Sequence, residues 1–193
     1  MESGAIAGEA RSIEMLLVDR ARAGDHHAFE ALLERRLDST FRLALAILGD
    51  EAEARDATQD AFVRLWRNLP ALRDSQTFQA WFGRIVVNAC RSAIRGRRRR
   101  LVREIRMASL PDGGEGLSSR GTAHDDRVAN LDLLDRALER LSVDERTLLA
   151  LHHHEDLSLE QIGRQLHIPS VTVKSRLFSA RRALQRALEV EGR

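Results

Sequence analysis

Residues 157–184 read LSLEQIGRQLHIPSVTVKSRLFSARRAL, and this stretch predicts two helices separated by a short turn. Ser158 and Gln161 have the spacing of a capping box, so a first helix of about nine residues is expected to follow. Residues 167–169 interrupt the helical periodicity, and a longer helix then runs toward Leu188. A short capped helix, a turn and a longer helix are the layout of a helix-turn-helix.

The longer helix has an apolar side and a cationic side. Apolar residues recur at helical spacing from Val173 to Leu184 and are expected to face the first helix. No acid occurs between Ser170 and Arg186, although solvated helices usually pair their charges. This favours contact with DNA in the major groove over the alternative, an ordinary helical hairpin with a solvated basic side. The predicted contact residues are Thr172, Lys174, Ser175, Arg176, Phe178, Ser179, Arg181 and Arg182.

A second basic region lies upstream. Residues 81–106 contain nine arginines and one acid, which gives a net charge of +8. Five of its polar residues step by four, three, four and three positions, so they share one stripe of a helix, and aromatic residues such as Phe82 line the other side. Such a stripe suits contact with a nucleic-acid backbone, and the alternative is a basic tail after a core helix. The stripe consists of Arg84, Asn88, Arg91, Arg95 and Arg98.

Helical patterns account for most of the remaining sequence. Asp25 is placed to cap a helix that Gly49 ends, and Asp50 is placed to cap the next helix, which Pro70 closes. The buried face of that next helix is expected to consist of Phe62, Leu65, Trp66 and Leu69. The fold class is therefore all-α.

A linker is expected between two small helical domains. Four glycines, three serines and one proline interrupt the pattern between Met107 and His124, and helical periodicity then returns. The predicted divisions are an N-terminal extension at 1–19, a helical domain at 20–103, a flexible linker at 104–127 and a second helical domain at 128–190.

Composition restricts the class of function. The lone cysteine, Cys90, fits a reducing compartment, and the first 20 residues lack the pattern of a signal peptide, so a cytoplasmic protein is expected. His152, His153 and His154 diverge by about 100° each on a helix and do not predict a metal site. No catalytic set, metal or cofactor is expected, because neither a zinc-protease motif nor a phosphate-binding glycine loop occurs.

Three stretches resemble the extracytoplasmic-function group of RNA polymerase sigma factors. They are DATQDAFVRLW at 56–66, FQAWFGRIVVNACRSAIRGRRRR at 78–100, and the stretch at 157–184 quoted above. The resemblance implies sigma region 2 followed by sigma region 4, without the larger domain that primary sigma factors place between them. It also implies the function: binding core RNA polymerase, directing it to promoters through −10 and −35 recognition, melting the promoter and starting transcription.

The resemblance also assigns roles to residues. Contact with core polymerase falls on the acidic helix after Asp50, at Asp56, Gln59, Asp60 and Arg64. Recognition of the −10 element falls on the loop 70–76, on Trp81 and on the arginine stripe, and −35 recognition falls on the last helix. Members often have arginine where Ser179 stands, and a serine cannot make the bidentate guanine contact of an arginine.

The implied partners are core RNA polymerase, promoter DNA and an anti-sigma factor, without membrane insertion of the chain itself. The alternative is a stand-alone helix-turn-helix regulator whose N-terminal domain senses a ligand or dimerises. A helical enzyme or metal protein is a third class, for which the sequence supplies no catalytic set. The inducing signal, the promoter sequence and the role of residues 1–19 are left open.

Overall fold

The computed structural model describes residues 2–108, 126–153 and 157–192. Within these ranges the fold is all-α, as predicted, and two 3₁₀ turns, Leu69–Ala71 and Ser75–Thr77, precede the longest helix. The helices are α1 (Glu2–Arg22), α2 (His26–Leu48), α3 (Glu51–Asn68), α4 (Phe78–Ala108), α5 (Asp126–Glu139), α6 (Val143–His153), α7 (Leu159–Leu166) and α8 (Ser170–Glu191). None of the helices in these ranges combines the length and the apolar character that a membrane crossing requires. Most of the predicted linker, 104–127, falls outside the described residues.

Helix ends follow the predicted caps. The Asp25 side chain accepts a hydrogen bond from the Ala28 backbone N–H at 3.1 Å, and this bond, with a smaller contribution from Arg20, lowers the pKa of the Asp25 carboxyl. Asp50 likewise accepts from the Glu53 N–H at 2.8 Å. Gly49 ends α2 in the left-handed conformation, with φ of 70°, which costs a glycine little.

Helices α1 to α4 form the first unit. Leu32, Ile47 and Leu65 are fully buried in its core, and the rings of Phe78 and Phe82 stack 5.7 Å apart. Helix α1 is fixed on α2 by a two-pronged ion pair, in which Arg36 donates to both carboxylate oxygens of Glu14 at 2.5 and 2.6 Å. Helix α1 thus includes most of the N-terminal extension, and the part of it around Glu14 packs on α2.

The expected burial of Trp66 is wrong. Leu65 of α3 and Leu69 of the following 3₁₀ turn are buried as predicted, but the Trp66 side chain is exposed. It packs edge-on against Phe29 of α2 at 4.6 Å and stacks on His26 at 5.3 Å. The periodic spacing of apolar residues identifies which side of a helix is packed, but it does not show which residues at the edge of that side are covered.

Helices α5 to α8 form the second unit and contain the predicted helix-turn-helix. Ser158 and Gln161 form the capping box before α7, and Ile162, Val173 and Ala180 are fully buried between α7 and α8. The turn is tight, because a Cβ at Gly163 would lie 2.7 Å from the Ile168 carbonyl oxygen. His167 ends α7 in the left-handed conformation, with φ of 58°.

The two units share one continuous apolar core. Helix α6 packs against α2, and α7 packs against α4. Leu157, which immediately precedes the capping box of α7, is buried beside Phe82 and Val86 of α4. The second unit therefore lies directly on the first.

Candidate nucleic-acid interface

Helix α8 presents to solvent the side that the sequence predicts as a DNA contact. Its apolar side is buried at Val173, Leu177 and Ala180. Of the predicted contact residues, Thr172 is half-buried, and the others are exposed: Lys174, Ser175, Arg176, Phe178, Ser179, Arg181 and Arg182. All eight thus lie within reach of a ligand that approaches the outer side of α8.

Two apolar side chains stand out on this cationic surface. Phe178 is 63% exposed and Val171 is 77% exposed. The Arg182 guanidinium lies 5.9 Å from the Phe178 ring centroid, within the range of a cation–π contact. Exposed apolar groups at a groove-facing position are suited to the methyl group of thymine. Val171 is not among the contact residues predicted from the sequence, although its position next to Thr172 could have indicated it.

Two serines on the same surface donate their hydroxyl hydrogens to backbone carbonyls of α8. Ser175 Oγ donates to the Thr172 carbonyl at 3.0 Å, and Ser179 Oγ donates to the Ser175 carbonyl at 3.2 Å. Each hydroxyl oxygen keeps lone pairs that can accept a further bond. In this arrangement the serines suit base amino groups, such as adenine N6 or cytosine N4.

The predicted stripe on α4 divides into two groups. Asn88, Arg95 and Arg98 are exposed, and Arg95 donates to the neighbouring Ser92 hydroxyl at 2.9 Å. Arg84 and Arg91 instead contact the second unit, at His167 and Asp144 respectively. The structure therefore places all five on α4 but leaves three of them open to solvent.

A cleft of about 460 Å³ separates the N-terminal end of α4 from α7. Trp81 and Arg84 line one side of this cleft, together with Asp74 and Gln76 of the predicted −10 loop. The α7 residues Gln161, Arg164 and Gln165 line the other side. The aromatic and cationic groups predicted to bind one DNA strand thus face the second unit.

Helix α3 carries the predicted acidic face. Asp56 and Gln59 are exposed, and Arg64 binds Asp60 through two contacts, at 2.7 Å and 3.0 Å. Nine residues earlier on the same helix, Arg55 pairs with Glu51. The four predicted polymerase-contact residues therefore share one helix, and two of them already neutralise each other.

An apolar groove of about 1000 Å³ runs beside this face, between α2 and α3, and Gln59 lies on its lining. Its apolar residues are Phe29, Leu33, Leu37, Phe41, Phe62, Val63 and Trp66. An apolar groove bordered by polar residues is the kind of surface that interaction sites use. The sequence pattern predicts only the charged part of this surface, because it assigns Trp66 to the core.

Cys90 and His152 each have a defined structural environment. Cys90 is buried on α4, and burial raises the pKa of its thiol to about 12. His152 Nδ1 donates to the Leu157 carbonyl at 3.2 Å, while His154 lies outside the described residues. No group of three or more potential metal ligands occurs among the residues that the structure describes.

Comparison with known proteins identifies the same two units. A family model for sigma-70 region 2 matches residues 32–100, and one for sigma-70 region 4 matches residues 131–184. The chain is 30% identical over 181 residues to the RNA polymerase sigma-H factor of Pseudomonas aeruginosa, covering 90% of this chain and 92% of that protein. It is 29% identical over 188 residues to the ECF RNA polymerase sigma factor SigW of Bacillus subtilis, with 91% and 98% covered.

Among solved structures, the fold is similar to the sigma factor RpoE from Bartonella quintana, determined in complex with the anti-sigma factor NepR. The TM-score is 0.64 at 23% sequence identity, and the match covers 84% of this chain and 97% of that chain.

Proposed function

The chain belongs to the extracytoplasmic-function group of RNA polymerase sigma factors, and we propose that its two units divide promoter recognition between them. The first unit binds core RNA polymerase and the −10 element, and the second unit binds the −35 element. One observation carries this proposal. The chain has basic surfaces on α4 and α8, and a separate surface on α3 that is acidic and apolar.

The outer side of α8 reads the −35 element. Lys174, Arg176 and Arg181 are exposed cations that suit contact with phosphates, which sets affinity and register. Phe178 and Ser179 face the same side and suit contact with base edges, which sets sequence preference. The arrangement of exposed cations around Phe178 and Ser179 supports these separate roles in affinity and in sequence preference.

Helix α4 binds the −10 element during melting. Taking a base out of the stack costs a few kcal/mol, which stacking and backbone contacts must offset. Trp81 supplies an aromatic surface at the cleft, and the stripe from Arg84 to Arg98 supplies the cations. The loop 70–76 beside Trp81 completes the binding surface.

The surface of α3 binds core RNA polymerase. Asp56, Gln59 and Asp60 present a polar edge that sets orientation, since charges at an interface contribute more to specificity than to affinity. The neighbouring groove, with Val63 and Trp66, supplies apolar area that becomes buried on binding.

An anti-sigma factor is the expected regulator, and it would cover the polymerase-binding and DNA-binding faces. The similar fold of RpoE, which binds the anti-sigma factor NepR, supports this part of the proposal. We place the chain in the cytoplasm, where its polymerase and DNA partners are found. It borrows the chemistry of the polymerase and needs no catalytic residue of its own.

The test compares promoter binding by the chain alone, by core polymerase alone and by the mixture. We expect the chain to co-elute with core polymerase on gel filtration and to shift promoter DNA strongly only in the mixture. A dimeric chain that shifts duplex DNA equally well without polymerase would instead support a stand-alone helix-turn-helix regulator and would refute the proposal.

A further inference from the structure

The last turns of α1 are bonded to the loop 70–76, which is proposed above to bind the −10 element. We propose that Asp19 and Arg22 of α1 are positioning residues, which hold this loop in the conformation that receives an unpaired −10 base and do not contact DNA themselves. This inference rests on the −10 function proposed for the loop. It is carried by side-chain hydrogen bonds between α1 and a segment about 50 residues further along the chain.

Arg22 joins α1 to the first half of the loop. Its Nη1 donates to the Leu72 carbonyl at 2.9 Å and to the Arg73 carbonyl at 3.2 Å. Both carbonyls belong to the stretch between the two 3₁₀ turns. A hydrogen bond from a charged donor is stronger than one from a neutral donor, so this guanidinium fixes the backbone at the centre of the loop.

Asp19 joins α1 to the second half of the loop. One of its carboxylate oxygens accepts from Ser75 Oγ at 3.2 Å, and the other lies 4.0 Å from the Arg22 guanidinium. Asp19 and Arg22 are three residues apart, so their side chains share one side of α1. Together they bind the loop on both sides of Asp74.

Both partners of these bonds are anchored in the apolar core of the first unit. On α1, Val18 is fully buried and Ala21 is nearly so, next to Asp19 and Arg22 respectively. In the loop, the Leu72 side chain is buried in the same core. Because both segments are already fixed by packing, little further conformational entropy is lost when the polar bonds form.

Another side of the loop faces the cleft of about 460 Å³ beside Trp81, where Asp74 and Gln76 lie on the lining. Local bonds set the shape of this side, because the Asp74 carboxylate accepts from the Gln76 N–H at 2.9 Å and the Asp74 carbonyl accepts from the Thr77 hydroxyl at 2.7 Å. The lining of the cleft does not include Asp19 or Arg22. These two residues therefore act on a base in the cleft only through the loop.

Holding the loop favours base binding, because a loop that is already ordered does not have to be ordered when the base arrives. Loss of the Arg22 bonds should therefore weaken recognition of the base that the loop receives. Contacts between α4 and the DNA backbone should not change, since they do not involve α1.

The first experiment measures hydrogen–deuterium exchange of the full chain by mass spectrometry. Arg22→Ala removes the bonds to the loop, and Arg20→Ala is the matched control, because Arg20 lies on the same helix and binds Asp25 instead of the loop. We expect the backbone amides of residues 72–77 to exchange at least about threefold faster in Arg22→Ala than in the wild type or the control.

The second experiment measures the affinity of the holoenzyme for single-stranded DNA by fluorescence anisotropy. The probes are the non-template strand of a promoter mapped by run-off transcription and the same strand with an abasic site at each −10 position in turn. For the wild type we expect an abasic site to weaken binding by at least about tenfold at the position that the loop receives. For Arg22→Ala we expect this ratio to fall at least about threefold, with an unchanged dependence of affinity on salt concentration. Arg22→Lys keeps a charged donor and should retain most of the ratio.

Unchanged exchange in Arg22→Ala would overturn the proposal, as would faster exchange with an unchanged abasic ratio. A slope of log K against log salt concentration that falls by about 1 would also overturn it, because Arg22 would then contact a phosphate itself. If circular dichroism shows that Arg22→Ala has lost helix, Asp19→Ala is measured in its place with the same expectations, since it removes the bond to Ser75.

A different result identifies failure of the proposed function. A wild-type holoenzyme that binds every abasic probe as tightly as the intact strand would refute the −10 function of the loop, and this proposal with it. Exchange is measured on the free chain without polymerase or DNA, so it would still show whether α1 holds the loop.

Discussion

Exchanging the two charges of the Asp60–Arg64 ion pair separates the stability of α3 from its proposed contact with polymerase. The pair lies at i and i+4 with a contact of 2.7 Å, and its side chains are 43% and 39% exposed. The single variant Asp60→Arg removes the pair and places two cations one turn apart. The double variant Asp60→Arg/Arg64→Asp restores an ion pair of opposite direction.

The expected magnitudes differ for folding and binding. An exposed pair of this spacing stabilises a helix by about 0.3–0.5 kcal/mol, and a like-charge pair destabilises it by a similar amount. Asp60→Arg should therefore cost about 1 kcal/mol and lower the Tm by about 2–4 °C. The double variant should regain most of this loss. Both variants place a cation where the carboxylate is proposed to meet a basic surface, which should cost about 2 kcal/mol, or about 30-fold in Kd.

Thermal unfolding followed by circular dichroism gives the stability, and fluorescence anisotropy with labelled core polymerase gives the Kd. Glu30→Arg is the control, since it makes the same charge change on α2 at an exposed position outside the groove. Wild-type polymerase affinity in the double variant would refute the role of Asp60, because folding would be intact and the charge reversed. An equal loss of affinity in Glu30→Arg would show that only net charge matters.

Three further predictions concern the other surfaces. Arg95→Ala should lower the permanganate reactivity of melted −10 thymines at least about threefold, because Arg95 is an exposed cation of the stripe; unchanged reactivity would remove it from melting. For binding to a −35 duplex, Lys174→Ala should reduce the slope of log K against log salt concentration by about 1, because one phosphate contact is lost. Phe178→Ala should weaken binding without changing this slope. Equal slopes for both variants would contradict this assignment. Alkylation of Cys90 at pH 8 should be about 1,000-fold slower in the native chain than in the unfolded chain, because burial raises the pKa of its thiol to about 12 and keeps it protonated; rapid native labelling would show that it is not buried.

Helix ends are the features that the sequence predicts best. Asp25, Asp50 and Ser158 each accept a hydrogen bond from a backbone N–H three residues later, as expected. Capping involves only residues that are close in the chain, so a local pattern is sufficient to predict it. The exposed side of α8 is predicted for the same reason, since helical periodicity separates its two sides.

The features that depend on contacts between distant residues are not predictable in this way. The surface position of Trp66 follows from what α2 leaves uncovered, and the burial of Gln165 follows from the approach of α7 to α4. Gly83 looks like an ordinary helix glycine until Gln165 is placed over it. A polar residue buried by a long-range contact gives no local signal, so the packing of α7 on α4 could not be inferred from spacing.

Run-off transcription with purified core polymerase tests the central claim most directly. Promoter fragments are transcribed with core polymerase alone and with the chain added, and the 5′ ends of the transcripts are mapped. We expect defined start sites only when the chain is present, preceded by common −10 and −35 sequences. Transcripts that start at the same positions with and without the chain would contradict the claim that α4 and α8 direct the polymerase to promoters.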